Sequence, residues 1–242
     1  WLLRAETRRL IAYENLMLDL FDHQAIISVQ DRDLLYHPRR DQVAVIPNGV
    51  DSDFFVPRNS DPRYDLLFTG NMNYPPNIDS VLYLVNKVLP LVRAERPDTS
   101  LLISGVDPGP RVRELAEQDP LITVSGWVRD IRDSYAAAKV FAAPMQIGTG
   151  LQNKLLEAMA MRMPCVTSPL ANNAVGATPG TSILIGREPE DYAAHILRLL
   201  NHPEERERLA QGGYSFVRER FDWDRAAEIL DGLVQSGARL QP

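Results

Sequence analysis

Apolar residues recur at helical spacing through the first 22 residues, at Leu3, Leu10, Tyr13, Leu16, Met17, Leu20 and Phe21, and predict an amphipathic helix. Two short apolar runs follow, AIISV at 25–29 and QVAVIP at 42–47, each reading as a buried strand. Asn48-Gly49 then marks a turn, and the polar, proline-bearing PRNSDPRYD at 57–65 predicts a loop. From Asp65 onward strand and helix patterns alternate. DLLFTG, SLLISG, LITVSG, KVFAAP and PCVTS read as strands. Between them NIDSVLYLVNKVLPLV, VRELAEQ, DIRDSYAAA and LQNKLLEAMAM read as helices. A Gly/Pro/Asn-rich loop leads to a further strand, SILIG at 182–186, and three helices finish the chain in PEDYAAHILRLL, PEERERLAQGGYSFVRER and DWDRAAEILDGLV.

Short, wholly apolar strands alternating with helices predict an α/β fold with a doubly wound parallel sheet covered on both faces. In such sheets ligands bind outside the carboxyl ends of the strands. Several of those ends carry small or polar residues here: Thr69-Gly70-Asn71, Ser104-Gly105, Ser125-Gly126 and Pro144. Glycine there lets the backbone turn sharply or approach a ligand closely, although loop glycines also serve purely structural ends.

Composition narrows the picture. The 242 residues are 45% hydrophobic and 24% charged, enough to bury a sizeable core. A net charge of −6 argues against a nucleic-acid partner, which requires a basic face. The single cysteine, Cys165, excludes an intramolecular disulfide framework and suits a reducing compartment; in MPCVTS it reads as strand packing. No apolar run approaches the ~20 residues of a membrane span. His23, His37, His195 and His202 lie far apart without ligand-type spacing, so no metal site is expected. The chain opens in mid-helix without an initiator methionine and is expected to be a piece of a longer protein.

The stretch IGTGLQNKLLEAMA concentrates the candidate chemistry. Gly148 and Gly150 precede a helix whose first N–H groups lack intrahelical partners, and such a tip attracts anions. The dinucleotide fingerprint fails, because Asn153 stands where its third glycine would be, and there is no P-loop. Lys154 in the first turn opposes the helix dipole, a penalty that an anion docked at the tip would reverse. Glu157 lies three residues on, hence on the same face, and a carboxylate there can accept from two vicinal hydroxyls, as on a ribose. Two readings stay open: a phosphorylated nucleotide bound at the helix tip, or a solvated Lys154–Glu157 surface pair with no ligand.

The segments VIPNGVDSDFF, DLLFTGNMNYPPNIDSV, LLISG, ITVSGWVRDI, FAAPMQIGTGLQNKLLEAMAMRMPCVTS and FVRERFDW, in this order, resemble the nucleotide-sugar-binding C-terminal half of retaining GT-B glycosyltransferases of family four ("group 1"). The resemblance covers about residues 42–235. It implies a Rossmann-like donor domain at 42–221, a remnant of the acceptor domain (helix plus strand) at 1–41, and a crossover helix and tail at 222–242. Carried over to this chain, it makes Lys154 and Glu157 the candidate catalytic residues, with Glu157 matching the second glutamate of the family's Glu-x-seven-Glu motif. The substrate-binding candidates are Gly70 and Asn71 facing the diphosphate, Gly126, Trp127 and Val128 bordering the base, and Gly148, Thr149, Gly150 and Leu151 meeting the diphosphate and sugar. Two departures stand out. Thr149 takes the place of the motif's first glutamate, and Asn71 and Asn77 stand near the family's usual arginine and lysine, leaving Lys154 to supply the positive charge.

The function implied is transfer of a sugar from a nucleoside diphosphate sugar to a glycan or lipid-linked acceptor, with retention and with no cofactor beyond the donor. The acceptor side would lie in the missing domain, so the fragment is expected to bind nucleotide without turnover. The alternative is a non-catalytic nucleotide-sugar-binding or scaffold protein of the same fold. The expected location is cytoplasmic, with room for peripheral association at the inner face of the membrane and for oligomers through exposed terminal helices.

Overall fold

The computed structural model describes residues 1–58, 61–148 and 150–238. They divide into two compact units, one made of Trp1–Gly49 together with the chain from Phe221 onward, the other of Val50–Arg220.

In the first unit, α1 (Leu2–Leu20) buries none of its residues and leaves Trp1, Leu3, Leu10, Tyr13, Leu16 and Leu20 exposed. The two expected strands shrink to β1 (Ala25–Ile26) and β2 (Ala44–Val45), paired in parallel. The first run ends early because Ser28 caps a helix: its Oγ accepts from the Asp31 N–H at 3.0 Å, and α2 (Val29–Asp33) follows. Val29 therefore starts a helix where the apolar run suggested the end of a strand.

The larger unit holds a six-stranded parallel sheet. Along the chain it runs β3 (Tyr64–Thr69), α3 (Pro75–Tyr83), α4 (Leu89–Glu95), β4 (Leu101–Ser104), α5 (Pro110–Gln118), β5 (Ile122–Gly126), α6 (Ile131–Ala136), β6 (Ala138–Ala143), α7 (Asn153–Ala160), β7 (Cys165–Thr167), α8 (Pro169–Val175), β8 (Leu184–Ile185), α9 (Pro189–Asn201) and α10 (Pro203–Arg220); α11 (Trp223–Ala238) belongs to the first unit. The spatial order is β5-β4-β3-β6-β7-β8. The chain thus builds outward from β3 to β5, returns to lay β6 beside β3, and builds outward the other way. Leu66, Leu67 and Phe68 of β3 and Val140 and Phe141 of β6 are wholly buried, the mark of central strands covered on both faces.

Two departures from the expected elements have local causes. The helix expected across NIDSVLYLVNKVLPLV contains a π-helical stretch, Leu84–Val88, between α3 and α4. Pro90 has no N–H to donate, and its ring would crowd the carbonyl four residues back, so the wider turn accommodates it. The loop expected after β7 contains α8, started by Ser168, whose Oγ accepts from the Ala171 N–H at 3.1 Å, and stopped by Gly176 in the left-handed conformation. Both signals stand in the sequence, in a run too short to show periodicity.

Candidate nucleotide-binding site

The reversal of strand order between β3 and β6 makes the carboxyl ends of these strands the switch point, where the crossovers leave in opposite directions and a crevice opens. A pocket of about 370 Å³ lies there, lined by residues that follow β3 (Gly70, Asn71, Asn77), β4 (Gly105, Val106) and β6 (Leu151, Lys154, Glu157).

Its floor is two backbones in close approach. Gly70 donates its N–H to the Ser104 carbonyl at 3.1 Å, and Gly105 donates to the Gly126 carbonyl at 3.1 Å. Gly105 has φ +145°, and a Cβ there would sit 1.8 Å from the Gly70 carbonyl oxygen, so only glycine fits. The Asn71 side chain makes a local turn, its Oδ1 accepting from the Asn73 N–H at 2.8 Å.

Lys154 lies in the first turn of α7, whose N-cap Gln152 makes no side-chain capping bond. Its Nζ donates to Asn77 Oδ1, lies 3.8 Å from Met145 Sδ and stands 4.9 Å from the ring centre of Phe68. Burial pushes the ammonium down to about 8, against the opposing pull of Glu157. Glu157 is held differently: Tyr135, wholly buried on α6, donates its hydroxyl to Oε2 at 2.7 Å. The same hydroxyl is 3.0 Å from Thr69 Oγ1, so the threonine donates to the phenol while the phenol donates to the carboxylate. Burial raises the Glu157 carboxyl above its ordinary value, and Tyr135 and Lys154 oppose that rise. Among the described residues, Lys154 and Glu157 form no ion pair within 4.0 Å. Both are partly buried with other partners, which removes the solvated surface pair as a description of them.

Gly70, Asn71, Leu151, Lys154 and Glu157 thus converge on one pocket. Gly148 stands to one side, where a Cβ would lie 3.4 Å from Pro76, and Gly150 has φ +88°. Gly126, Trp127 and Val128 do not line the pocket; Trp127 stands 71% exposed beyond the end of β5. Thr149 lies outside the described residues. Tyr135 escaped sequence reasoning, because DSYAAAKV carries no signal that its one aromatic, buried in the core, reaches Glu157 with its hydroxyl. Among the described residues no cluster of three His, Cys, Asp or Glu side chains could hold a metal ion, and no helix is long and apolar enough to cross a membrane.

The family model for glycosyl transferases group 1 matches residues 63–202, which include every strand of the larger sheet. The chain belongs to the group 1 glycosyltransferases. A 44.6 kDa protein from the cps region of Klebsiella pneumoniae is 26% identical over 165 residues, covering 65% of this chain and 42% of that protein. A GDP-mannose-dependent monoacylated α-(1-6)-phosphatidylinositol monomannoside mannosyltransferase of Corynebacterium glutamicum is 28% identical over 218 residues, 80% of this chain and 56% of that protein. The chain spans about half the length of these curated relatives. The crystal structure of Anabaena Alr3699/HepE with UDP and glucose is similar with a TM-score of 0.75 at 15% identity, over 93% of this chain and 66% of that one. That likeness is one of fold, the Rossmann-like half of a GT-B glycosyltransferase. For this group 1 member, the pocket lies where the doubly wound fold places its ligands.

Proposed function

We propose that this chain binds the donor in a sugar transferase, holding a nucleoside diphosphate sugar in the pocket between β3 and β6. The observation that carries the reading is the convergence of Lys154 and Glu157, one cation and one carboxylate, on a single crevice at the switch point of a group 1 glycosyltransferase sheet. Lys154, with the backbone N–H groups at the start of α7, would stabilise the diphosphate leaving group as charge develops on it. Glu157, oriented by Tyr135, would accept from the ribose hydroxyls. Gly70 and Asn71 would face the diphosphate, and Trp127 with Gly126 and Val128 would border the base. Transfer with retention to a glycan or lipid-linked acceptor belongs to the longer protein. In this reading the acceptor domain precedes residue 42, the crossover helix begins near residue 222, and the fragment binds donor without turnover. The reading assigns no cofactor beyond the donor and places the work in the cytoplasm, at or near the inner face of the membrane.

Calorimetry and thermal shift with UDP, GDP, ADP and dTDP and their sugars test it, since a ligand of the native state alone raises stability. Radiolabelled transfer is then assayed with the longer protein. Binding of one diphosphate followed by transfer is expected. No binding by any of the four, up to millimolar concentration, would overturn the reading. Thr149, in place of an expected glutamate, favours a second reading as a nucleotide-sugar-binding protein without transfer, which binding with no transfer would support.

A further inference from the structure

Asn77 is buried, with 5% of its surface exposed, in the first turn of α3, and both ends of its carboxamide are engaged across the switch point. Its Nδ2 donates to the Asn71 carbonyl at 2.9 Å, and its Oδ1 accepts from Lys154 Nζ. The two ends of the amide are not interchangeable. An ammonium has only protons to offer and a carbonyl only lone pairs, so the two partners fix which way the amide points. The amide also packs closely on the turn, since a Cβ on Gly70 would lie 2.7 Å from Asn77 Nδ2.

We infer that Asn77 is a positioning residue of this site: it clamps the Lys154 ammonium from α7 to the Gly70-Asn71 turn after β3, and so sets where the cation meets the anionic part of a ligand. A four-carbon side chain on a short helix has many rotamers, and freezing it beforehand removes an ordering cost from binding. The bed beneath it, Phe68 and Met145, offers a ring face and, at 3.8 Å, a weakly accepting thioether, so among the described residues Asn77 Oδ1 is the oxygen that gives the ammonium a directed hydrogen bond. Among the described residues, the other titratable group lining the pocket is Glu157, on the lysine's own helix, with the buried Tyr135 of α6 behind it. Neither makes a hydrogen bond to Nζ, which leaves Asn77 to fix its direction. The role at a diphosphate rests on the proposed function above; the clamp itself does not.

The experiment therefore has an arm without ligand and an arm with it. In protein labelled at lysine Cε and assigned with Lys154→Arg, the Lys154 titration is followed by NMR in the native chain and in Asn77→Asp. A carboxylate in place of the amide raises the midpoint by about one unit or more; an unchanged midpoint overturns the clamp. In the second arm, affinities for UDP, GDP, ADP and dTDP and for their nucleosides are measured for Asn77→Ala, Lys154→Ala and the double variant. For the diphosphate that binds tightest, Asn77→Ala loses about tenfold in the native background and less than twofold when Lys154 is already alanine. The matching nucleoside is unaffected. Equal losses in both backgrounds, or an equal loss for the nucleoside, show that Asn77 acts on the fold at large and overturn the inference. If the native chain binds none of the four diphosphates, the proposed function falls, and the titration alone decides the clamp.

Discussion

Tyr135 and Glu157, 22 residues apart on α6 and α7, share a hydrogen bond of 2.7 Å at the edge of the pocket. This partly buried carboxylate is held by a phenol that is itself hydrogen-bonded to Thr69. One oxygen of the carboxylate is thus engaged before any ligand arrives.

Tyr135→Phe keeps the ring and removes that bond. Unfolding free energy should fall by about 1–2 kcal/mol, read by urea denaturation. The Glu157 carboxyl, already raised by burial and now without the phenol that opposes the rise, should titrate still higher in a carboxyl-carbon NMR experiment. A Glu157 titration that stays put would show that the phenol does not hold it.

Lys154 should make stability depend on alkaline pH. Its folded value, about 8, lies below the ordinary lysine value of 10.5, so between these two the unfolded chain binds the extra proton. Stability contributed at this site therefore rises as pH climbs from about 8 toward 10.5, and is reduced below 8 where the buried ammonium is charged. Lys154→Met should be more stable than the native chain at pH 7 by about 1–2 kcal/mol, the loss of the Asn77 bond offsetting part of the gain, and the advantage should shrink above pH 8. Diphosphate binding should move the opposite way, weakening in the native chain above pH 8 and in the variant at every pH.

Gly105→Ala should damage the pocket more than its single methyl suggests. The new Cβ collides with backbone, the Gly70 carbonyl, at a position whose φ of +145° already disfavours a side chain. A loss of about 2–4 kcal/mol in thermal unfolding is expected. Ligand binding should be lost even at temperatures where the variant is folded, because the Gly70-Asn71 turn must shift.

Trp127→Ala separates base recognition from folding. The indole is largely exposed, so stability should change by less than about 0.5 kcal/mol. If it stacks on the base, affinity for nucleoside and nucleoside diphosphate should drop together by about 5- to 100-fold. Unchanged affinities would place the base elsewhere.

The strand–helix alternation and the glycines at strand ends were legible because each is a local pattern. A buried parallel strand must be apolar throughout, and a turn that brings backbones together must lack a Cβ. Lys154 and Glu157 were legible as a pair because three residues along a helix bring side chains to one face. The short strands of the first unit were overread, since an apolar run does not reveal how many of its residues find a pairing partner; only two residues of each do so here.

The sequence by itself determined the strand–helix alternation of the larger unit, the doubly wound class and the helix that carries the charged pair. Tertiary structure alone decided that β6 returns beside β3, and with it that Asn77 meets Lys154 from 77 residues away and Tyr135 meets Glu157. Periodicity reports which face of one element is buried and carries no record of which element covers it. The partners of a buried charge are set by strand order, and strand order is a property of the whole sheet.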